Sequence, residues 1–170
     1  DEKRTTQLNL GNLIRMLWIT PFMDRIWLDG ATERRRFLDR LVLSMDNLHG
    51  KNTIIYTKAM KQRNRLLKDK INDDVWLAIL EDQMAVSGTS IDQSRRKAIR
   101  RIVDFQKEFK SVFPIAHLEL IGTKFNSTSE FKGMLRNNRS MDFVAGRSLI
   151  GPHRNDILGI YENKGIEAKY

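Results

Sequence analysis

The chain has 170 residues and no cysteine, and its 30 Lys and Arg residues against 21 Asp and Glu give a formal net charge of +9. A content of 41% apolar residues with three prolines is typical of one folded domain rather than a disordered chain. The lack of cysteine excludes disulfide scaffolds and thiol chemistry, and three scattered histidines make a metal site unexpected. The apolar runs are too short to cross a bilayer and the N-terminus is too polar for a signal peptide, so we expect a soluble cytoplasmic protein, or a piece of one.

The first half of the chain predicts a strand followed by helices. Residues 14–20 have the β-branched and aromatic character of a buried strand. From Thr32 the apolar residues recur with the helical period, and we expect this helix to end at Gly50 in a left-handed cap. The next helix is expected over about 52–70, and its apolar stripe includes Arg63. A guanidinium in that position predicts a buried carboxylate partner.

A third helix is predicted to start after Asn72, where Asp73 and Asp74 suit a helix N-terminus. Its predicted apolar stripe runs through Trp76 and then continues beyond Gly88. Glycine costs about 1 kcal/mol against alanine inside a helix, so Gly88 marks a kink or a break. A continuous helix to residue 110 would be roughly 57 Å long at 1.5 Å per residue. A rod of that length does not bury itself in a small globule, so we expect an elongated arm.

The second half of the chain predicts short elements. Residues 116–121 alternate like a strand with one apolar face, a helix is expected over about 129–138, and two strands flank a predicted turn at 163–165. The predicted fold class is therefore mainly α: an elongated arm of long antiparallel helices, with a few short strands from the chain ends. The predicted divisions are residues 1–31, 32–145 (the helical arm) and 146–170.

Basic and acidic blocks alternate along the central helices. Residues 51–70 carry seven bases, residues 71–93 carry five acids and no base, and residues 94–113 carry seven bases again. Two interpretations stay open. Complementary charge lets neighbouring helices pack and remain soluble, whereas clustered Lys and Arg attract the phosphates of a nucleic acid.

Motifs for nucleotide or covalent chemistry are missing. The nearest approach to a phosphate-binding loop is residues 146–153, where Pro152 and His153 stand in place of the Lys and Ser/Thr that bind phosphate and magnesium. No Ser or Thr sits in a nucleophile motif. We therefore expect no catalytic residue, no cofactor, no metal and no enzyme activity within this segment.

Four segments, taken in order, resemble the RecF family of bacterial recombination-repair ATPases. They are ITPFMD at 19–24 followed by DGATERRRFLD at 29–39, KQRNRLLK at 61–68, the looser WLAILEDQMAVSGTSIDQSR at 76–95, and GPHRND at 151–156. The last departs from the family's Gly-Pro-His-Arg-Asp-Asp at Asn155. Each motif is weak alone, but their order and spacing along nearly the whole chain are specific.

The resemblance implies that the chain is the middle of such a protein, an ATPase related to the structural-maintenance-of-chromosomes proteins. Residues 32–145 would be the arm domain, and residues 1–31 and 146–170 would be flanks of the ATPase domain that it interrupts. The phosphate-binding loop would come before this region, and the signature loop and the acidic magnesium-binding strand after it. The complete protein, but not this segment, would then hydrolyse ATP with magnesium.

The same resemblance implies a role in recombinational DNA repair, replication-fork maintenance and the SOS response to DNA damage. It implies an ATP-dependent homodimer that binds single-stranded, gapped or duplex DNA. It also implies cooperation with RecR and RecO in loading RecA, and no contact with a membrane.

Nine residues are candidates for function. Those for contact with DNA or a partner are Arg34, Arg35, Arg36, Arg95, Arg96, Arg100 and Arg101, and Lys97 lies among the last four. The first three open a helix, where positive charge opposes the helix dipole. One of them could instead tie the helix start to Asp24 or Asp29, and the later group could be a solvated face. His153 and Arg154 follow a rigid Gly-Pro and are candidates for the edge of the ATPase domain.

Two other functions stay open. The chain could be a stand-alone helical protein-interaction module with no DNA contact, or a domain that completes an enzyme active site in trans. A phosphate loop encoded before Asp1 and a signature loop encoded after Tyr170 would favour the ATPase segment over the interaction module.

Overall fold

A computed structural model of the chain describes residues 20–108 and 115–161 and the strand residues 166–167. It is mainly helical, with a small sheet, which confirms the predicted fold class. The predicted strand at 14–20, except for its last residue, and the predicted turn at 163–165 lie outside the described residues.

The chain forms two compact units. The first, here called the sheet unit, comprises residues 1–49, 94–121 and 155–170. The second, the helical unit, comprises residues 50–93 and 122–154. This division differs from the predicted bounds of 32–145 for an arm, and those bounds, like the elongation of the arm, stay predictions.

The elements follow in chain order from a short 3-10 helix. They are that helix (Pro21–Arg25), α1 (Ala31–Leu43), α2 (Leu48–Lys68), α3 (Asp74–Glu108), β1 (Ala116–Ile121), α4 (Thr128–Asn137), α5 (Arg139–Ala145), β2 (Asp156–Tyr161) and β3 (Ile166–Glu167). The helix predicted over 129–138 corresponds to α4, whereas α5 was not predicted.

The boundary between α1 and α2 is not where the sequence predicts it. α1 ends at Leu43, and Gly50 lies in the first turn of α2 rather than in a left-handed cap. The Leu48 backbone N–H donates to Asp46 Oδ1 at 2.9 Å. A side-chain bond to the backbone therefore marks the start of α2, and glycine is not needed to end α1.

Of the two alternatives for Gly88, a kink or a break, the break was wrong, since α3 runs from Asp74 to Glu108 as one helix. A β-carbon built on Gly88 would lie 2.6 Å from Phe131 Cε1 and 3.0 Å from Tyr56 Cε2. Glycine thus allows α2, α3 and α4 to approach closely, and this packing offsets its poor helix propensity. The predicted start of the helix is confirmed, because Asp73 Oδ1 accepts a 2.9 Å bond from the Trp76 N–H.

The core of the helical unit is built from α2, α3 and α4 around a stacked pair of rings, Phe125 and Phe131, whose centroids are 4.1 Å apart. On α3 the inward position belongs to Leu77, which is fully buried, and the predicted core residue Trp76 is 48% exposed. The predicted stripe was therefore displaced by one residue at its beginning, although Leu80 and Met84 follow it inward.

The sheet unit contains an antiparallel sheet in the order β1-β2-β3. The alternation predicted for 116–121 is confirmed, with Leu120 buried and its neighbours on both sides exposed. Beneath this face lie the buried side chains of α1 and α3, which are Leu38, Val42, Ala98 and Ile99. Near the end of α3, Gln106 exchanges two hydrogen bonds with the backbone of Ala116, at 3.1 and 3.2 Å.

Candidate nucleic-acid and partner surface

Arg34 is a buried tie within the sheet unit. Its Nε and Nη2 each donate to Asp156 at 2.8 Å, and its Nη1 donates to the carbonyl oxygens of Ile26 and Asp29. The hydrogen bond to Asp156 raises the pKa of the guanidinium above its ordinary value, despite burial. With 4% of its surface exposed, Arg34 fits the structural alternative, and the acid that it binds is Asp156.

The other two arginines of the triplet differ from each other. Arg35 donates to the Asn155 carbonyl oxygen at 2.9 Å and to Thr32 Oγ1 at 3.0 Å. Arg36 pairs with Glu33, and 68% of its side chain is exposed. Within the triplet, Arg36 therefore presents the most charge to solvent, and Glu33 partly neutralises it.

Arg95 is a second buried tie. Its Nε and Nη2 donate to the two oxygens of Asp39 at 2.8 and 2.9 Å, and His49 Nε2 lies 2.8 Å from Asp39 Oδ1. Burial opposes ionisation of Asp39, but the hydrogen bonds from His49 and Arg95 outweigh it and lower the pKa of the carboxyl below its ordinary value. Because Arg95 is 4% exposed, its place among the surface candidates is not supported.

The following turns of α3 present charge outward. Lys97, Arg100 and Arg101 are exposed, Arg96 is half-buried, and Ala98 and Ile99 face the core. Positions three and four apart share one helix face. We call Lys97, Arg100 and Arg101 the α3 basic face. These three are the exposed members of the basic group at 95–101.

His153 is anchored inside the helical unit. Its Nδ1 lies 2.8 Å from the Tyr56 hydroxyl and its Nε2 lies 3.1 Å from the Ser148 carbonyl oxygen. A carbonyl only accepts, so Nε2 carries a proton, and in the neutral imidazole the tyrosine hydroxyl then donates to Nδ1. The preceding Gly151 has φ +127°, and a β-carbon there would collide with the Tyr56 hydroxyl. Arg154 is exposed, and a contact of either residue with an ATPase domain stays a prediction.

The carboxylate partner predicted for Arg63 is confirmed, and there are two. Arg63 donates to Asp142 Oδ2 at 2.6 Å and twice to Glu81 Oε1 at 3.1 and 3.2 Å, and none of the three side chains is more than 2% exposed. It also donates to Ser148 Oγ and to the Leu135 carbonyl oxygen. The guanidinium is therefore fully occupied within the core of the helical unit.

A second arginine completes this network. Arg139 reaches Glu81 through two hydrogen bonds of 2.9 and 2.7 Å and Asp74 through one of 2.7 Å. Asn64 Oδ1 accepts from the Ser148 N–H and hydroxyl at 2.7 and 2.8 Å. Two of the three residues in the Gln-Arg-Asn motif thus hold the segment that leads to Gly-Pro-His.

The motif residues bind one another within each unit. In the sheet unit Arg34 of the first motif binds Asp156 of the last, and Asp39 binds Arg95 of the looser one. These contacts give the motif residues a structural role within each unit. They leave the exposed bases as the part of the pattern that could contact a ligand.

Sequence reasoning missed a basic surface on α2. Of the seven bases counted over 51–70, only Arg63 is buried. The signal was present in the charge count, but no exposed residue of α2 was named as a candidate. Within the described part of the chain, no group of His and acidic residues is placed to hold a metal ion, and none of the helices is both long and apolar enough to span a bilayer.

The fold is shared with a solved recombination mediator. The chain superposes on the structure of the recombination mediator protein RecF with ATP, in the RecFOR pathway, with a TM-score of 0.75 and 19% identity, over 89% of this chain and 43% of that one. A second structure, of RecF-ATPrS in the same pathway, gives the same TM-score over 44% of its chain.

The sequence relatives carry the same name. The chain is 41% identical to the DNA replication and repair protein RecF of Brucella abortus (strain 2308), over 94% of this chain and 44% of that protein. It is 40% identical to the RecF of Rhizobium rhizogenes (strain K84 / ATCC BAA-868), over 94% of this chain and 45% of that protein. No family model matches. The chain spans less than half the length of these relatives, and the resemblance to a middle segment of RecF is confirmed.

Proposed function

We propose that the chain is the arm-bearing segment of a RecF-like ATPase that acts in recombinational DNA repair and replication-fork maintenance in the cytoplasm. The observation that carries the proposal is the 41% identity, along 94% of the chain, to proteins named for DNA replication and repair. The segment covers only 44% of that relative. Binding of ATP and magnesium, ATP-dependent dimerisation, and cooperation with RecR, RecO and RecA are therefore proposed for the complete protein.

Within this segment we assign phosphate contact to the α3 basic face. Lys97, Arg100 and Arg101 lie on one exposed side of a helix whose opposite side is packed in the core. Lys and Arg that contact phosphate rather than base edges add affinity without sequence preference. The same group of bases includes Arg95, but its charge is already matched by Asp39.

The test uses the complete protein that contains this segment, with Arg100→Ala and Arg101→Ala combined. We expect weaker binding to every DNA sequence, and a fall in the salt dependence of up to about 0.9 for each duplex phosphate that the variant no longer neutralises. A variant with Lys124→Ala and Arg136→Ala, two exposed bases elsewhere, is the matched control for charge. Unchanged affinity and salt dependence, relative to that control, would reject a role of this face in DNA binding.

The isolated chain should release no phosphate from ATP, because the residues that would bind the nucleotide phosphates and magnesium are absent from its sequence. The measurement is phosphate release by protein purified to a single species. Turnover that stays with the protein through purification would favour the active-site domain instead.

A second candidate, the protein-interaction module, is favoured by apolar side chains on the outer side of α3 in the helical unit. Val75, Ile79 and Val86 are more than half exposed, at 72%, 53% and 54%. Apolar residues at this spacing are typical of a helix face that meets a partner. If this module is correct, the parent chain should bind no DNA, and Ile79→Asp with Val86→Asp should abolish partner binding or self-association, measured by light scattering.

A further inference from the structure

The exposed side of α2 is a line of positive charge. Its basic members are Lys51, Lys58, Lys61, Arg65 and Lys68, and all five are exposed. At 100° per residue they fall within an arc of roughly 100°, and from first to last they extend about 26 Å along the helix. We call these five residues the α2 stripe. No acidic residue lies between the first and the last of them.

Capping explains only the end of the stripe. Arg65 and Lys68 lie in the last turn, where positive charge favours the helix dipole, and Arg65 has one weak pair, 3.7 Å to Asp69. Lys58 and Lys61 are a turn or more further from the C-terminus and gain little from it. Among the described residues of the helical unit, nothing accounts for a row of bases along one side of α2, whereas Arg63 on the opposite side is neutralised by two carboxylates.

The chemistry of the stripe favours a phosphate backbone over a protein partner. Four of its five bases are lysines, which act as hydrated point charges rather than as planar forks that select a particular carboxylate geometry. Duplex DNA carries one charge per about 1.7 Å of axis, so a line of about 26 Å would face many phosphates. Binding of this kind is independent of sequence.

The absence of aromatic residues decides between duplex and single strand. The outward positions of α2 that lie between the lysines are Ile54, Ile55 and Gln62, so this face has no ring on which a base could stack. Proteins that hold single strands combine a basic groove with stacking aromatic side chains. The α2 stripe has only the first of these two features.

We propose that the α2 stripe is a docking surface for the sugar-phosphate backbone of duplex DNA. It is separate in sequence from the α3 basic face, and it deepens the proposed function, on which it rests, by naming the duplex as its ligand. The charges that carry the binding are those of Lys58, Lys61 and Lys68, with Lys51 and Arg65 adding to them.

The experiment compares two variants of the full 170-residue chain. The first combines Lys58→Gln, Lys61→Gln and Lys68→Gln. The control combines Lys124→Gln, Lys132→Gln and Arg136→Gln, which are exposed bases outside α2, so both variants lose three charges. Binding to a fluorescent duplex of about 20 base pairs, and to one of its strands alone, is measured by anisotropy between about 50 and 200 mM salt.

We expect the stripe variant to bind duplex DNA more weakly than the parent chain. Its slope of log K against log salt should be less steep by up to about 2.7, or 0.9 for each of three phosphates. The control should lose markedly less, and both should melt like the parent chain. The preference of the parent for duplex over single strand should disappear in the stripe variant.

Three results would overturn the proposal. They are equal losses in the two variants, an equal loss of duplex and single-strand binding, and no duplex binding by the parent chain. The proposed function is tested separately, by Arg100 and Arg101 in the complete protein. A negative result for the α2 stripe alone would therefore not contradict the proposed function.

Discussion

The two units use buried arginines in the same way but desolvate them to different extents. In the helical unit Arg63 and both of its carboxylate partners are at most 2% exposed. In the sheet unit the side chains of Arg34 and Arg95 are 5% exposed, but those of their partners Asp156 and Asp39 are 17% and 21% exposed. Since an unpaired charge costs most where water cannot reach it, the helical unit should depend more strongly on its arginine.

The largest expected effect is that of Arg63→Met, which leaves Glu81 and Asp142 with one partner fewer in a dry core. Removing one member of a buried ion pair typically costs about 3–5 kcal/mol, and methionine restores the volume but not the charge. The measurement is the free energy of unfolding in urea.

The control for this change is two residues away on the same helix. Arg65 has 85% of its side chain in solvent and one weak ion pair, so Arg65→Met should change stability by less than about 0.5 kcal/mol. Similar losses in the two variants would mean that burial of the network does not decide its contribution.

A smaller and pH-dependent effect is expected in the sheet unit from Asp39→Asn. The pKa of Asp39 is lowered in the folded state, so its contribution is present above the unfolded value of about 3.9 and is lost as the pH falls through the folded value. The variant removes the carboxylate that Arg95 and His49 share, which we expect to cost about 2 kcal/mol at neutral pH.

Unfolding measured from neutral to acid pH checks the sign of this effect. The difference between parent and variant should shrink as the pH falls below about 4, because Asp39 then becomes protonated and resembles the neutral amide. A difference that stays constant across this range would show that the lost shape, and not the lost charge, causes the instability.

Local pattern predicted the elements of this fold more successfully than their ends. The alternation at 116–121 and the helical period of α2 depend on neighbours in sequence, and both are confirmed. Gly50 was interpreted as the end of a helix, and Gly88 as a kink or a break. The start of α2 is marked by a local contact of Asp46 with the Leu48 N–H, whereas the glycine at 88 is required by tertiary contacts with two aromatic rings, one on α2 and one on α4.

The same distinction between local and distant contacts applies to the residues of the candidate site. That Arg63 needs an acid followed from its place in an apolar stripe, but Asp142 lies 79 positions away and no local pattern identifies it. Arg34 and Arg95 were candidates for contact with DNA or a partner, and no local pattern showed their burial, because the carboxylates that they bind are 122 and 56 positions distant. Helical spacing places Arg96 and Arg100 on a face away from the buried stripe, and of these two Arg100 is exposed whereas Arg96 is half-buried.

The smallest expected effects come from replacing a glycine in each unit by alanine, which compares the packing of the two units without changing a charge. A β-carbon at Gly88 in the helical unit would lie 2.6 Å from Phe131, which is fully buried, and one at Gly159 in the sheet unit would lie 2.5 Å from Cη2 of Trp27, which is only half-buried. Overpacking typically costs about 1–3 kcal/mol, and replacing glycine inside a helix returns up to about 1 kcal/mol. We therefore expect Gly88→Ala to destabilise by about 1–2 kcal/mol, and Gly159→Ala by less, because a ring near solvent can shift while two rings packed in the core cannot. Thermal unfolding of the two variants beside the parent measures both. An equal or larger loss at Gly159 would contradict the view that the helical unit is the more tightly constrained of the two.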